Sequence, residues 1–427
     1  MPGCTHIIGA GIAGLSAALA VTADGREAIL YEAAPQAGGR CRTLEPPDGF
    51  RHDNGTHVLF TANRGALDLL ETIGARHQWI EPEPDGLPLM DARTGRLSRV
   101  GLSPWSWLDR SRRPEGLTLD TLARIVRLAF SSADRPVFDV MGPGAILDGL
   151  IEPLTVAVLN TPVSTASSRR LGRAMRCLLA PGASHLLVAR NGLSEDLVQP
   201  ALWALEDRGA TILTGQRLKS IRTRGDRIAA LVTTDRVVVL RPDDQVILAL
   251  PPWEVARLIP TISVPEAFEP ILNLHYRIRG LDRPRFIGLL GALAQWVLVR
   301  ADHVSITVSA AGAAMERSAP ELSRAIWAEV VPALRALGLD VSREAVPEAR
   351  IVREKRATIR QAAGPIPQPL LRPFANTALA GDWIGEFPAT IENAVTAGER
   401  AAALLARPPL RGGAPRPADS LPAGETA

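Results

Sequence analysis

The amino-acid sequence predicts an α/β protein, α+β overall, that combines a Rossmann-like nucleotide-binding domain with a discontinuous second domain of antiparallel sheet and helices. The first observation is the N-terminal segment "THIIGAGIAGLSAALAVTADGREAILYE", which has the strand–turn–helix–strand pattern of a βαβ unit. The second is a series of short apolar runs, "ILNLHYRI", "FIGLL", "QWVLVR" and "HVSITVSA", which is typical of an antiparallel sheet. At 427 residues the chain is long enough for two domains with separate cores.

A dinucleotide fingerprint, G-x-G-x-x-G, connects the first strand to the first helix. Gly9 permits the turn, Gly11 lets the backbone approach a pyrophosphate, and Gly14 lets the helix pack closely on the strand. The second strand ends in Glu32, eighteen residues after Gly14, where a carboxylate binds a ribose hydroxyl. The predicted dinucleotide contacts of this unit are Gly9, Ala10, Gly11, Ile12, Ala13, Gly14, Glu32 and Ala33.

A second glycine cluster follows in "YEAAPQAGGRCR", where Gly38 and Gly39 precede Arg40. The paired glycines predict a loop whose backbone closely approaches a ligand. A simple NAD domain has no need of a second glycine loop so soon after the first, so the sequence favours FAD as the cofactor.

The segment "RHDNGTHVLF" (51–60) combines turn-forming residues with two histidines. We interpret it as the bend where the chain leaves the nucleotide-binding domain, with Gly55 and Thr56 close to the cofactor and His52 facing away. Asp53 and His57 are the candidate catalytic residues. A histidine pKa suits proton donation near neutrality, Asp53 would need a pKa raised by burial, and a purely structural role for either side chain stays open.

The nucleotide-binding domain is expected to be discontinuous. Near the C-terminus, "NTALAGDWIGEFPATIENAVTAGERAAALLA" predicts a strand, then Gly381 and Asp382, then a helix starting near Thr390 and Ile391. Gly381 allows close approach, and the helix start offers free N–H groups to a flavin oxygen. Asp382 either accepts a hydrogen bond from a ribityl hydroxyl or serves as a loop or capping carboxylate, and both interpretations stay open. The predicted boundaries are 1–63, 185–265 and 373–406 for the FAD-binding domain, 64–184 and 266–372 for the substrate-binding domain, and 407–427 for a disordered tail.

Two segments of the predicted substrate-binding domain raise specific expectations. "LTLDTLARIVRLAFSS" predicts a helix with Leu119, Leu122, Ile125 and Leu128 facing inward. "GLSPWSWLDRSRRP" (101–114) places two tryptophans beside three arginines. Two interpretations of this loop stay open, a peripheral contact with the inner face of the cytoplasmic membrane and a buried loop with a basic edge.

Composition narrows the function classes. A formal net charge of +3 gives no support for nucleic-acid binding. The three cysteines are widely scattered, which predicts neither a disulfide framework nor a metal site and fits a reducing, cytoplasmic compartment. No apolar run reaches the length of about 18 residues that a transmembrane helix needs, so none is expected.

Six segments carry a family resemblance: "GAGIAGLSAALA", "YEAAPQAGGRCR", "DNGTH", "WVLVRADHVSITVSAA", "VREKRAT" and "GDWIGEFPATIENAVTAGERAA". Together they resemble the hydroxysqualene dehydroxylases of bacterial hopanoid biosynthesis, also called squalene-associated FAD-dependent desaturases, within the amine oxidase/phytoene desaturase superfamily. The resemblance covers residues 5–406. It implies that the Gly-Gly-Arg loop runs beside the diphosphate and ribityl chain of FAD, and that a residue near Leu218 meets the adenine through its backbone.

The resemblance also implies the reaction. Hydroxysqualene, a C30 isoprenoid alcohol, would lose its hydroxyl group to give squalene, with hydride passing from N5 of the reduced flavin to an allylic carbon. Expected partners are this hydrophobic substrate and squalene-forming enzymes. An external electron donor is also expected, because the chain has a single dinucleotide fingerprint and so no separate site for NAD(P)H.

Two alternatives stay open. One is an isoprenoid or carotenoid desaturase, or another oxidase of the amine oxidase superfamily, and the other is a non-catalytic flavin-binding protein. An aromatic cage for an amine is not favoured, because the chain has two tyrosines, Tyr31 and Tyr276, and Phe387 is the aromatic residue next to the segment before the last helix.

Overall fold

The computed structural model describes residues 3–130, 132–278 and 283–406. The predicted disordered tail, 407–427, lies outside the described residues. The α-helices are α1 (Ile12–Ala23), α2 (Arg64–Thr72), α3 (Leu119–Phe130), α4 (Val137–Met141), α5 (Glu152–Leu159), α6 (Ser168–Cys177), α7 (Gln199–Asp207), α8 (Pro252–Leu258), α9 (Ala319–Ala336) and α10 (Ile391–Ala406).

Strands make up five sheets in the described residues. They are β1 (Thr5–Ile8), β2 (Ala28–Tyr31), β3 (Thr43–Leu44), β4 (His52–Asp53), β5 (Val58–Phe60), β6 (Trp79–Ile80), β7 (Leu87–Asp91), β8 (Leu97–Val100), β9 (Leu186–Ala189), β10 (Thr211–Leu213), β11 (Ser220–Arg224), β12 (Arg227–Val232), β13 (Val237–Val239), β14 (Gln245–Leu248), β15 (Phe268–Arg277), β16 (Arg285–Leu290), β17 (Trp296–Val299), β18 (His303–Val308), β19 (Ala349–Ile359) and β20 (Thr377–Leu379).

A five-stranded parallel sheet, in the order β10-β2-β1-β14-β20, forms the nucleotide-binding half. Its strands come from three distant parts of the chain, and β1 pairs in parallel with both β2 and β14. All four residues of β1 are buried, as expected for a parallel strand covered on both faces, and the polar His6 hydrogen-bonds with the Tyr31 hydroxyl at 3.0 Å. The sheet confirms the mixed α/β class, whereas the exact domain boundaries remain a prediction.

A seven-stranded sheet, in the order β19-β15-β18-β17-β16-β7-β8, forms the other half. Its pairings are antiparallel except for that between β16 and β7. One face packs into a core that includes Leu274 and Ile306 of the sheet and Trp327 of α9. Because side chains alternate along a strand, the opposite face presents Asn273 and His275, which lie against the segment 52–57.

The helix α7 begins irregularly. The segment 190–209 forms a π-helical turn, Ser194–Val198, followed by α7. Pro200 has no N–H to donate to the Asp196 carbonyl, four residues earlier, so the regular helical pattern is interrupted there. The Asp196 carbonyl oxygen instead accepts the indole N–H of Trp79 at 2.9 Å.

The prediction for α3 is wrong for one residue. Ile125 and Leu128 are buried and Leu122 is half-buried, but Leu119 is 87% exposed. Val126 and Phe130, seven and eleven residues after Leu119, are also exposed. Helical periodicity places these three side chains on one side, so α3 has a second apolar stripe that faces outward. Within the described residues, no helix is both long enough and apolar enough to cross a membrane.

The close packing of α1 against α10 depends on Gly398. A Cβ atom there would lie 2.2 Å from the Ala13 carbonyl oxygen and 2.9 Å from the Ala17 nitrogen. We predict that Gly398→Ala lowers the free energy of unfolding by about 1–3 kcal/mol, because the backbones of the two helices would have to separate. Urea-induced unfolding at matched flavin content measures the change.

Gly149 provides the matched control. It lies in the π-helical turn Leu147–Ile151, and a Cβ atom there would meet no atom within 4 Å. We expect Gly149→Ala to leave the stability unchanged or to raise it by about 0.5–1 kcal/mol. Equal losses in the two variants would contradict the close-packing explanation.

Candidate functional site

The first glycine loop brings the start of α1 directly against the end of β1. Gly9 has a φ of +101°, and a Cβ atom on it would lie 2.4 Å from the Ala249 carbonyl oxygen. A Cβ atom on Gly14 would lie 1.8 Å from the Gly9 carbonyl oxygen. Gly11 is the N-cap of α1 and has no side chain to occupy the free N–H groups of the first turn, so these groups can bind an anion.

The second glycine loop lies beside the first. The Gly38 N–H donates to the Ala10 carbonyl oxygen at 2.8 Å, and Gly11 and Gly38 form an isolated parallel bridge. A Cβ atom on Gly39 would have the Gly11 Cα as its nearest neighbour, at 3.4 Å. The two loops therefore offer bare backbone on a common side, with Ile12 and Ala13 continuing into α1.

Glu32 lies at the end of β2, at the edge of the same loops. Its carboxylate accepts hydrogen bonds from the Ala10 N–H at 2.8 Å and from the Ala34 N–H at 2.9 Å, across the turn that contains Ala33. These bonds hold a carboxylate next to the phosphate-binding loop, which is the position a ribose hydroxyl needs.

The C-terminal segment is joined to the second glycine loop by Arg40. Its Nη2 donates to Asp382 Oδ1 at 2.6 Å, and its Nη1 donates to the Ala357 carbonyl oxygen of β19. Asp382 raises the pKa of Arg40, so the guanidinium stays charged. Gly381 has no room for a side chain, because a Cβ atom there would lie 2.5 Å from Trp383 Nε1.

The last helix begins where the sequence predicts, since α10 starts at Ile391 directly after Thr390. Thr390 Oγ1 accepts the Asn393 N–H at 3.4 Å, and Asn393 Nδ2 donates to the carbonyl oxygens of Asp382 and Ile384 at 2.6 and 2.9 Å. These contacts fix the start of α10 relative to the Gly381–Asp382 turn.

Asp53 is buried at the junction of three segments. Its Oδ1 accepts the Thr43 hydroxyl at 2.8 Å and the Leu193 N–H at 2.9 Å, and its Oδ2 pairs with Arg300 Nη1 at 3.0 Å. Three donors on one buried carboxylate favour the structural interpretation of this residue, because both of its oxygens already hold neighbouring segments in place.

His57 is half-buried on the same loop, and its Nδ1 lies 3.1 Å from the Gly55 carbonyl oxygen. Burial lowers the pKa of His57, but the Cys41 sulfur and the Gly55 carbonyl outweigh this effect and raise the pKa to about 9. The imidazole is therefore a cation at neutral pH and has a proton to donate. Next to it, the Thr56 hydroxyl is buried without a hydrogen-bond partner among the described residues.

The other histidine of this segment, His52, packs on the antiparallel sheet. Its ring centroid lies 4.5 Å from that of His275, whose Nδ1 hydrogen-bonds with the Ser305 hydroxyl at 2.8 Å. Burial lowers the pKa of both histidines, which keeps them neutral. Both belong to the interface between the loop and the sheet.

Leu218, predicted to lie near the adenine, and the acid Glu392 both have structural partners. Leu218 is buried in the core that contains Tyr31, and its carbonyl oxygen accepts Arg257 Nη2 at 2.7 Å. Glu392, another acid near the start of α10, accepts the N–H groups of Gly65 and Ala66 at 3.0 and 2.8 Å and so stabilises the N-terminus of α2.

Sequence reasoning missed three residues of the site: Arg300, Asn273 and Cys41. Asn273 lies under the loop, because a Cβ atom on Gly55 would be 3.2 Å from its Nδ2. Arg300 lies within the family segment "WVLVRADHVSITVSAA", which is the signal that could have identified it. Cys41 follows the Gly-Gly-Arg cluster directly, but a single buried cysteine gives no pattern from which to infer a neighbouring histidine.

The residues present fit a flavin dinucleotide. Bare glycine backbone, the uncapped start of α1, the Glu32 carboxylate and the buried, unpartnered Thr56 hydroxyl provide the donors and acceptors that such a group needs. Within the described residues no group of three or more His, Cys, Asp or Glu side chains is placed to hold a metal ion.

The chain is similar to several known proteins. A family model described as flavin-containing amine oxidoreductase matches residues 12–278. Hydroxysqualene dehydroxylase of Zymomonas mobilis is 33% identical over 94% of this chain and 98% of its own, and that of Rhodopseudomonas palustris is 34% identical over 94% and 97%. A structure of putrescine oxidase bound to putrescine superposes with a TM-score of 0.68 over 95% of this chain and 100% of its own, at 16% identity, which shows the fold.

The matches to the hydroxysqualene dehydroxylases span almost the whole of both chains. The chain is therefore a flavin-dependent oxidoreductase that belongs to the flavin-containing amine oxidoreductase family and, within it, to the hydroxysqualene dehydroxylases.

Proposed function

We propose that this chain binds FAD and reductively removes the hydroxyl group of hydroxysqualene to give squalene. The observation that carries the proposal is the 33–34% identity, over 94% of the chain, to two proteins named hydroxysqualene dehydroxylase. FAD is the proposed flavin because the first glycine loop, the start of α1 and Glu32 form a site for a pyrophosphate and an adenosine ribose, which a mononucleotide lacks.

Each part of the site has a proposed role in holding the cofactor. The backbone of residues 9–14 and of Gly38 and Gly39 would hold the pyrophosphate, and Arg40 and Asp382 would flank the ribityl chain. The first turn of α10 would offer N–H groups to the flavin ring. When bound and reduced, FAD supplies the hydride, and its electrons would come from an external donor.

The reaction needs one proton besides the hydride. The C–O bond of the alcohol breaks, a C–H bond forms at the same carbon, and the departing oxygen leaves as water once it has accepted a proton. His57 is the proposed donor, because it is cationic at neutral pH and half-buried beside the proposed flavin site. Asp53 is proposed to hold the loop that carries His57, since its oxygens are already engaged by three donors.

The apolar core that begins at the residue after His57 supports a hydrocarbon substrate. Val58, its neighbour in the chain, packs on an apolar cluster that contains Leu298 and the stacked pair Phe286–Trp296, whose ring centroids are 5.6 Å apart. Both tyrosines are buried in other cores, Tyr31 beside the parallel sheet and Tyr276 against Trp327. They are therefore not available for the aromatic cage that would recognise a cationic amine.

Two single substitutions distinguish the proposed role of His57 as proton donor from the proposed structural role of Asp53. We predict that His57→Gln lowers kcat about 10²–10⁴-fold with little change in stability or FAD content, because a general acid is lost. Asp53→Asn is expected to lower the free energy of unfolding by about 3–5 kcal/mol, because Arg300 is left buried without its counter-charge. Single-turnover rates are to be compared per bound flavin. Full turnover in His57→Gln would remove it as the acid.

The same assignment predicts a pH dependence. His57 has a raised pKa, so its acid form is complete well below pH 9 and is lost as the pH rises through about 9. In the wild type we therefore expect kcat to fall as the pH rises through about 9, which forms the alkaline limb of the pH profile. In Cys41→Ala the limb is expected at lower pH, because the interaction that raises the His57 pKa is removed. An unchanged limb in His57→Gln would show that another group titrates.

The proposed reaction is tested by anaerobic incubation of the FAD-loaded, prereduced protein with hydroxysqualene, followed by product analysis. We expect squalene and stoichiometric oxidation of the flavin. Oxidised protein incubated with squalene or phytoene is the matched arm, and we expect no product there. Dehydrogenated product in the oxidised arm without squalene in the reduced arm would instead identify a desaturase. Bound FAD with turnover in neither arm would identify a non-catalytic flavin-binding protein.

A further inference from the structure

Three exposed aromatic side chains lie along one side of α6 and the residues that follow it. The Arg173 guanidinium lies 5.6 Å from the ring centroid of Phe387, and that of Arg176 lies 5.9 Å from the ring centroid of Phe130. The Leu179 carbonyl oxygen accepts the indole N–H of Trp105 at 2.8 Å. Positions 173, 176 and 179 are three residues apart, so the aromatic groups line up on one surface.

These aromatic groups are unusually accessible for their size. Trp105 and Phe130 are each 60% exposed, and Phe387 is 54% exposed, whereas Trp107 of the same loop is buried. Exposed Leu108 lies on the short helix of Trp105, and the outward stripe of α3 adds Leu119 and Val126 beside Phe130. We call the surface formed by Trp105, Leu108, Leu119, Val126, Phe130 and Phe387 the aromatic face.

Basic residues surround the aromatic face. The segments 101–130, 168–180 and 385–388, which carry the aromatic face and α6, together contain nine arginines and four acidic residues, and one of these acids, Glu386, pairs with Arg169 and Arg173. The whole chain has a formal net charge of +3, so the residues outside these segments have a negative balance. The segment 168–180 contains no acidic residue. Within the described part of the chain, Arg110, Arg127 and Arg176 form no ion pair with a carboxylate. These three arginines, which we call the basic border of the aromatic face, are therefore available to bind anions of another molecule.

We propose that the aromatic face docks on the surface of an anionic phospholipid bilayer. Tryptophan and phenylalanine rings insert at the level of the headgroups, and arginines at the border pair with lipid phosphates. A second copy of this chain is a poorer occupant, because a two-fold interface would bring the same arginine-rich segments together. The positive charge of the border and the exposed aromatic rings thus both favour an anionic bilayer as the binding partner.

The apolar core beneath the aromatic face extends toward the candidate site. Ile125 and Leu128 of α3, Leu171 of α6 and Leu298 of the antiparallel sheet belong to one cluster, on which Val58 also packs. Docking on a bilayer would place this cluster between the lipid and His57. This consequence, unlike the docking itself, rests on the proposed function, because it concerns the delivery of a hydrocarbon substrate.

Vesicle co-sedimentation of the full-length, FAD-loaded protein tests the docking. We expect binding to vesicles of phosphatidylcholine mixed with phosphatidylglycerol, much weaker binding to phosphatidylcholine alone, and weakening by salt. Replacing both Arg110 and Arg127 by Gln is expected to lower the partition coefficient about 25-fold, since each arginine near an anionic surface contributes a factor of about five. Trp105→Ser and Leu108→Ser should each lower it as well.

Trp203 provides the matched control, because it is 58% exposed on α7 and lies outside the aromatic face. We expect Trp203→Ser to bind vesicles like the wild type, with all variants showing the far-UV circular dichroism and FAD content of the wild type. The proposal is overturned if the wild type ignores anionic vesicles at low salt, or if Trp203→Ser loses as much binding as Trp105→Ser. It is also overturned if ultracentrifugation shows a dimer that Trp105→Ser dissociates, since the occupant is then a second copy. Leu108→Ser decides the outcome should Trp105→Ser fold poorly.

Discussion

The buried ion pair between Asp53 and Arg300 is the interaction on which the geometry of the candidate site depends. Both side chains are almost fully enclosed, with exposures of 5% and 6%, and the pair connects the 51–57 loop to the residue directly after β17. Thr43 and the Leu193 N–H add bonds from two more segments to the same carboxylate. Removing one charge would leave the other buried and unpaired, so a buried pair of this kind constrains position strongly even where it adds little net stability.

A second set of contacts fixes the position of the C-terminal segment relative to the glycine loops. Arg40 joins the second glycine loop to Asp382 and to the backbone of β19, and Asn393 joins that turn to the start of α10. The proposed flavin site is thus assembled from segments more than 300 residues apart. Because the cofactor site and the His57 loop share these anchors, changes in either ion pair are expected to alter flavin binding and proton delivery together, whereas changes in His57 alone are not.

The sequence predicts those features that depend on local backbone requirements. Gly9 and Gly14 could be placed because a tight turn and a close helix–strand contact need glycine at those spacings, and the start of α10 follows from a local pattern. Arg300 could not be assigned to Asp53, because nothing local specifies a partner 247 residues away. Leu119 was misplaced because α3 is apolar on two sides, and periodicity alone does not say which stripe faces the core.

The proposed delivery of a hydride and a proton to replace a hydroxyl group is tested most directly by the isotope content of the product. A single turnover of the prereduced, FAD-loaded protein with hydroxysqualene in D₂O, under anaerobic conditions, should give squalene with one deuterium per molecule. The reason is that a hydride from the reduced flavin would carry deuterium, since the flavin N–H groups exchange with solvent, while the proton proposed to come from His57 would leave with the water. Squalene without deuterium, or a product that has lost hydrogen, would contradict the account.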